Sequence, residues 1–173
     1  MNSFKISRQN TPGKLSAIAL GSNIGDSYKI LTAAIETLSA TPGIKLQAQS
    51  SWYRTKPVGP PQPDYLNGCA ILQVEMSPDL LLETLLATEA KFGRVRQERW
   101  GARSLDLDLL LYDDFIIDTP QLQIPHPRMV TRAFVLVPLD EIAPHWVEPT
   151  SGTKIKNLVK EVDCADVVLF SNQ

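Results

Sequence analysis

Residues 103–110 read Arg103-Ser104-Leu105-Asp106-Leu107-Asp108-Leu109-Leu110, which sets two carboxylates two positions apart inside an apolar run. Side chains alternate between the faces of a β-strand, so Asp106 and Asp108 are predicted to share a face, about 6.6 Å apart along the strand. Carboxylates at this spacing suit a pair of hard cations such as Mg²⁺, which take oxygen ligands, although a solvated strand face is the commoner meaning of an Asp-x-Asp pattern. The opposite face would carry an apolar stripe of Leu105, Leu107, Leu109 and Leu111, while the aspartate face continues into Leu110 and Tyr112.

A basic segment comes directly before this strand. Residues 93–103 contain four of the eight arginines of the chain, although its formal net charge is −2. Arginine guanidinium groups match phosphate oxygens bidentately, and Gly93 and Gly101 at the ends of the segment would allow it to close over a ligand. An isolated charge run is more often a solvated loop, but that alternative explains less well why Trp100 lies among the charges. We therefore expect a polyphosphate held between arginines and metal ions.

The segment around the two aspartates, Arg99 to Leu110, resembles the hallmark segment of the 6-hydroxymethyl-7,8-dihydropterin pyrophosphokinases, enzymes of folate biosynthesis. Further motifs of that family occur in its order and at close to its spacing, between about Ser16 and Pro149. The spacing from Arg96 to Arg99 is one residue tighter than in some members, and the loop before Tyr65 is slightly short. The matching motifs are Ala19-Leu20-Gly21-Ser22-Asn23, Tyr53-Arg54-Thr55-Lys56-Pro57-Val58-Gly59, Pro63-Asp64-Tyr65-Leu66-Asn67, Pro125-His126-Pro127-Arg128-Met129 and Arg132-Ala133-Phe134.

The resemblance implies transfer of the β,γ-pyrophosphoryl group of ATP to the hydroxymethyl oxygen of the dihydropterin, with release of AMP. It also implies two Mg²⁺ ions on Asp106 and Asp108, one bridging the α- and β-phosphates and the other the β- and γ-phosphates. Arg94 and Arg103 would stabilise charge on the transferred group. A lid would be formed by Arg96, Arg99 and Trp100.

The other site residues that the resemblance implies can be grouped by the substrate that they would bind. Tyr65 and Phe134 would stack on the two faces of the pterin ring while Asn67 bonds to its edge, which is what a flat heterocycle requires. The full implied set for the pterin is Thr55, Val58, Tyr65, Asn67, Trp100 and Phe134. The implied set for ATP is Glu89, Arg96, Arg99, Leu109, His126 and Arg132.

Length and composition agree with a small enzyme. A chain of 173 residues with 43% hydrophobic content fits one domain with a sizeable core. We predict that residues 15–173 form this domain and that residues 1–14 are a loosely ordered extension, without the apolar core of a secretory signal. Cys69 lies in an apolar strand and is predicted to be a core residue in a reducing cytoplasm. We expect a monomer, with no membrane span and, at a pI of about 5.7, no nucleic-acid partner.

Alternating elements predict an α+β fold, a ferredoxin-like βαββαβ sandwich with a short hairpin and C-terminal additions. The strands are predicted at 15–20, 44–54, 65–74 and 104–112, and the two main helices at 26–41 and 77–92. Residues 55–64 contain four prolines and are predicted to form a stiffened loop. The hairpin is expected near Asp113-Asp114, and further helical segments are expected at 140–142 and 154–162.

Three alternatives remain open from the residues alone. Gly21-Ser22-Asn23-Ile24-Gly25 follows a strand and could bind phosphate, but it fits no phosphate-loop fingerprint, and a tight strand-to-helix turn is favoured. A non-catalytic nucleotide-binding module could share this fold, although it would not need paired aspartates. An RNA-binding sandwich would display aromatic and basic residues where this chain has carboxylates. His145 is interpreted as a surface residue.

Overall fold

The computed structural model describes residues 13–93 and 103–171. Its first half contains β1 (Lys14–Ser22), α1 (Ser27–Ser39), β2 (Ile44–Gln49), β3 (Tyr53–Thr55), β4 (Tyr65–Val74), α2 (Pro78–Lys91) and β5 (Asp106–Tyr112). The two helices begin where the capping residues predict. The Asp26 side chain accepts a hydrogen bond from the Lys29 N–H, and the Ser77 side chain accepts one from the Leu80 N–H.

The second half adds smaller elements around this frame. A hairpin of β6 (Ile117–Asp118) and β7 (Gln123–Ile124) follows the turn at Asp113-Asp114, as predicted. The chain continues through α3 (Ala133–Ile142), the pair β8 (Val147–Glu148) and β9 (Thr153–Lys154), α4 (Ile155–Leu158) and β10 (Val167–Leu169). The helical segment predicted at 140–142 is the end of the longer α3. The one predicted at 154–162 divides into α4 and a 3₁₀ turn at Val159–Glu161.

The main sheet has the strand order of a ferredoxin-like fold. β5 pairs with β1, β1 pairs with β4, and both β2 and β3 lie along the outer edge of β4, all antiparallel. β10 extends this edge by pairing with β3. The predicted βαββαβ sandwich with a hairpin and C-terminal additions is therefore confirmed.

One predicted strand is broken in two. Residues 44–54 form β2 and β3 rather than one continuous strand, because Trp52 turns inward over β4. A Cβ atom on Gly68 would lie 2.5 Å from the Trp52 ring, so only glycine leaves room for the indole there. Ser50 secures the bend, since its Oγ accepts a hydrogen bond of 2.9 Å from the Cys69 N–H.

Two hydrophobic clusters cover the opposite faces of the sheet. α1 and α2 pack on one face, where Leu105, just before β5, and Leu107 and Leu109 of β5 are buried. α3 and α4 pack on the other face, where Cys69 is buried as predicted. The predicted leucine stripe is wrong at its end. The register of β1 on β5 shifts beyond Leu109. Leu111 therefore joins the α3 face, and Tyr112 joins the α1 and α2 face. None of the helices formed by the described residues has the length and apolar character needed to cross a bilayer.

Candidate active site

A cavity of about 1110 Å³ lies beside the paired strands β1, β3, β4 and β5. The loop after β3, the end of α2 and the segment from residue 119 to the start of α3 complete its wall. All of the predicted site residues that the structure describes line this one cavity, while Arg94, Arg96, Arg99 and Trp100 lie outside the described residues. The predicted residues in the wall are Thr55, Val58, Tyr65, Asn67, Glu89, Arg103, Asp106, Asp108, Leu109, His126, Arg132 and Phe134.

The two aspartates of β5 face this cavity. Both are partly exposed, whereas Leu107 between them is buried on the opposite face, so the predicted alternation is present here. The residues opposite them on β1 are small, because Asp106 pairs with Gly21 and Asp108 with Ala19. Small neighbours leave space on the carboxylate face. The Arg103 guanidinium lies 3.2 Å from Oδ1 of Asp106, and about 30% of each side chain is exposed.

A buried carboxylate supports this strand from the helix behind it. Glu89, near the end of α2, is only 2% exposed, and its Oε1 accepts a 2.8 Å hydrogen bond from the Leu107 N–H. Leu107 lies between the two aspartates. The Glu89 side chain therefore connects α2 to the part of β5 on which the separation of Asp106 and Asp108 depends, besides lining the cavity.

Aromatic and amide side chains form the wall at the ends of β3 and β4. Asn67 is 8% exposed and donates a 2.5 Å hydrogen bond from Nδ2 to Oγ1 of Thr55, which is also buried. This bond orients the Asn67 amide. Tyr65 begins β4 beside them, and Phe134, in the first turn of α3, lines the same cavity. The arrangement offers ring faces together with a fixed amide edge.

A histidine and two arginines form the basic part of the wall. The His126 N–H donates to the Leu110 carbonyl at 2.9 Å, which ties the residue to β5. His126 Nδ1 accepts the Arg128 N–H at 3.2 Å. Burial, followed by the charges of Arg132 and Arg128, lowers the pKa of His126 to about 4. The ring is therefore neutral at pH 7, and with Nδ1 accepting, the proton lies on Nε2.

Arg132 carries a permanent positive charge into this wall. Burial lowers the pKa of its guanidinium, and the nearby Asp108 carboxylate opposes that effect. A guanidinium remains protonated in proteins. Its Cζ lies 5.5 Å from the centre of the Phe134 ring, a cation–π distance that joins the basic and aromatic parts of the wall.

Sequence reasoning missed some members of the wall. Arg128 and Lys56 belong to motifs that the sequence displays, beside His126 and Thr55, so basic residue type within those motifs was a usable signal. Leu82, which is partly buried, and Leu86, which is exposed, gave no such signal, because leucines on a helix have no distinctive pattern. The further wall residues include Gln121 and Gln123 from the hairpin region.

Comparison with known families agrees with this geometry. A sequence profile described as 7,8-dihydro-6-hydroxymethylpterin-pyrophosphokinase (HPPK) matches residues 17–144. The chain belongs to the HPPK family. The match runs from β1 through α3, and so includes every wall residue of the cavity described above.

Two curated relatives of this chain are named 2-amino-4-hydroxy-6-hydroxymethyldihydropteridine pyrophosphokinase. One from Synechocystis sp. is 54% identical over 150 residues, covering 87% of this chain and 77% of its own length. One from Haemophilus influenzae is 48% identical over 145 residues, covering 83% of this chain and 90% of its own.

Solved structures similar to this one support the fold. A structure described as HPPK-DHPS in complex with substrates has a TM-score of 0.70 at 12% identity over 87% of this chain. The wild-type HPPK-DHPS of Plasmodium falciparum has a TM-score of 0.70 at 14% identity over 86% of this chain. The matched part of this chain spans 43% and 44% of those longer chains.

Proposed function

We propose that this protein transfers pyrophosphate from ATP to 6-hydroxymethyl-7,8-dihydropterin, forming AMP and the pterin diphosphate in folate biosynthesis. Membership of the HPPK family supports this activity. The single observation that carries it is one cavity whose wall combines paired carboxylates, a basic group and an aromatic–amide group. A pyrophosphokinase needs these three in one place, because the metal-bound polyphosphate and the acceptor hydroxyl must meet in line.

The aromatic–amide part of the wall is our candidate pterin pocket. Tyr65 and Phe134 would stack on the ring, and Asn67 would recognise its edge from the orientation that Thr55 imposes. Buried, oriented amide groups reject ligands that lack the matching hydrogen-bonding atoms. Val58, which is 65% exposed at the mouth of the cavity, would cover the ring when it is bound.

The basic part of the wall is our candidate polyphosphate pocket. Neutral His126 would donate from Nε2 to a phosphate oxygen, and Arg132 would supply a fixed positive charge. Arg103 would neutralise charge on the transferred group, since it already lies against Asp106. Glu89 and Leu109 would shape the side nearest the nucleotide, with Glu89 acting through its bond to the Leu107 N–H.

The carboxylates fit a pair of Mg²⁺ ions. Asp106 and Asp108 offer hard oxygen donors on one face of β5. Among the described residues, no larger group of three or more His, Cys, Asp or Glu side chains could hold a metal. Two carboxylates alone leave most coordination positions for phosphate oxygens and water, which is the usual arrangement for Mg²⁺. When bound, such ions neutralise phosphate charge and acidify a coordinated hydroxyl.

The remaining parts of the proposal follow from the family motifs. Arg94 would act on the transferred group, and Arg96, Arg99 and Trp100 would close over both substrates. We also propose a monomeric cytoplasmic enzyme in which residues 15–173 form one domain and residues 1–14 an extension. The size of the chain and its family support these points.

The decisive experiment is an assay with ATP, Mg²⁺ and 6-hydroxymethyl-7,8-dihydropterin, followed by separation of the nucleotides. We expect AMP and the pterin diphosphate in equal amounts, and only when the pterin is present. Replacing Mg²⁺ by a chelator should stop the reaction. Formation of ADP, or AMP release without pterin, would contradict the proposed transfer.

A further inference from the structure

One buried side chain joins two segments that are far apart in sequence. Asn23 follows β1 in the tight turn before α1 and is only 4% exposed. Its backbone N–H donates to the Arg103 carbonyl at 2.9 Å, and its Oδ1 accepts the Arg103 N–H at 2.7 Å. The backbone of Arg103 is therefore held on both its donor and its acceptor by a single residue.

The amide nitrogen of Asn23 reaches the proline-rich loop of residues 55–64. Nδ2 donates to Oε1 of Gln62 and to the carbonyl of Pro63, each at 2.9 Å. With Oδ1 on Arg103, both N–H groups and the oxygen of the amide have partners. A fully bonded, buried amide rigidifies the groups around it.

The proline-rich loop has few backbone donors of its own. Four of its ten residues are proline and lack a backbone N–H, so the loop has few donors with which to satisfy its own carbonyls. Asn23 supplies two. An aspartate of nearly the same shape could still accept from Arg103, but it would present an oxygen to the Pro63 carbonyl, which can only accept.

The contacts of Asn23 with Arg103 and with the proline-rich loop are called here the Asn23 junction. Both segments that it joins lead directly into the candidate site. Pro63 stands two residues before Tyr65, where β4 begins, and the Arg103 guanidinium lies 3.2 Å from Asp106 Oδ1. We propose that Asn23 is a positioning residue that couples the pterin side of the cavity to its phosphate side, an inference that rests on the proposed function. Asn23 does not line the cavity, and it acts through Pro63 and Arg103.

The test compares Asn23→Asp and Asn23→Leu with Ser22→Ala. Ser22 is the adjacent buried polar residue, and its Oγ donates to the Ser27 Oγ at 2.9 Å, away from both segments. For each variant, kcat and the KM values for pterin and ATP are measured beside a thermal unfolding curve. Gln62→Ala, which removes one of the two Nδ2 acceptors, is a milder fourth variant should the buried substitutions fold poorly.

Asn23→Asp should raise the KM for pterin while the KM for ATP changes little, because only the loop contacts are lost. Asn23→Leu should also lower kcat, since Arg103 is released, and kcat/KM should fall about 100-fold, the scale for misplaced reacting groups. Gln62→Ala should give a smaller rise in the pterin KM.

Kinetic constants equal to those of Ser22→Ala, whatever the change in melting temperature, would overturn the positioning role and leave the proposed function intact. A wild-type protein that forms no pterin-dependent AMP would overturn both.

Discussion

Gly21 and Asn67 pair directly across β1 and β4, and a Cβ atom on Gly21 would lie 2.7 Å from the Asn67 side-chain oxygen. The missing side chain of Gly21 therefore leaves space for the Asn67 amide, which the hydrogen bond to Thr55 orients. Gly21→Ala should displace this amide. Overpacking by one methyl group commonly costs about 1–3 kcal/mol, and here the affected group is the candidate hydrogen-bonding edge of the pterin pocket.

Calorimetric titration with the dihydropterin should show weaker binding to Gly21→Ala, with affinity for an ATP analogue nearly unchanged. Gly13→Ala is the matched control, because its Cβ would be similarly crowded, 2.9 Å from Cγ of Gln73, just before the other end of β1. Equal losses of pterin affinity in both variants would mean that the effect arises from strand packing and not from the Asn67 amide.

Strand β5 shows which features of the fold could be predicted from the sequence and which could not. The period of two placed Asp106 and Asp108 on one face, because that alternation is a local property of any strand. It failed at Leu111 and Tyr112, since the bulge depends on how β1 pairs with β5. The break after β2 likewise depends on the fit of Trp52 to Gly68 on a neighbouring strand.

The candidate site shows the same division between local and long-range information. The family motifs brought together wall residues as distant as Thr55 and Phe134. The Asn23 junction could not be found in this way, because its partners lie 39 to 80 residues away and two of its three side-chain contacts are to backbone atoms. A contact to a backbone atom does not depend on the type of the partner residue. Such contacts therefore cannot be predicted from the sequence and are seen only in the structure.

Replacing either aspartate should remove Mg²⁺-dependent transfer. Asp106→Asn and Asp108→Asn keep the shape of the side chain but lose the charge that a hard cation needs, so turnover should fall to near background. Mg²⁺ titration in the presence of an ATP analogue provides a second measurement, and both variants should bind the metal complex more weakly.

Asp113→Asn is the control for this pair. Asp113 immediately follows β5 and its carboxylate lies 3.0 Å from Lys14 Nζ, outside the cavity wall. Its loss should leave turnover and Mg²⁺ dependence unchanged. Normal turnover in either cavity variant would refute the assignment of that carboxylate to metal.

Removing the Phe134 ring should weaken pterin binding. Stacking of a heterocycle on an aromatic side chain contributes about 1–3 kcal/mol, so Phe134→Ala should raise the pterin dissociation constant accordingly and leave ATP-analogue binding similar. Phe115→Ala truncates a partly buried ring that packs on Tyr112, outside the wall. If Phe115→Ala weakened pterin binding as much, the stacking role of Phe134 would be wrong.

Arg103 should act mainly in the transition state. Its contact with Asp106 places a positive charge beside the candidate metal ligand, so Arg103→Ala should lower kcat and kcat/KM together, whereas loss of uniform binding would raise KM alone. Steady-state kinetics for both substrates separates these results. Arg54→Ala is the control, because this exposed arginine of β3 lies over the Phe170 ring and not in the cavity wall.

The stability of the protein should depend on pH through His126. Folding lowers the pKa of this residue from 6.5 to about 4, chiefly by burial. Between these values the unfolded chain binds a proton that the folded protein does not, so the free energy of unfolding rises with pH. The stabilisation is fully present above pH 6.5 and is lost as the pH falls towards 4.

Thermal unfolding is measured without nucleotide or Mg²⁺ from pH 4 to pH 7. The melting temperature should fall more steeply with decreasing pH in the wild type than in His126→Gln. His145→Gln is the matched control, since His145 is the only other histidine of the chain and is exposed. This control should follow the wild type. Parallel curves for the wild type and His126→Gln would show that His126 keeps an ordinary pKa in the folded protein, and the conclusion that burial lowers this pKa would then be wrong.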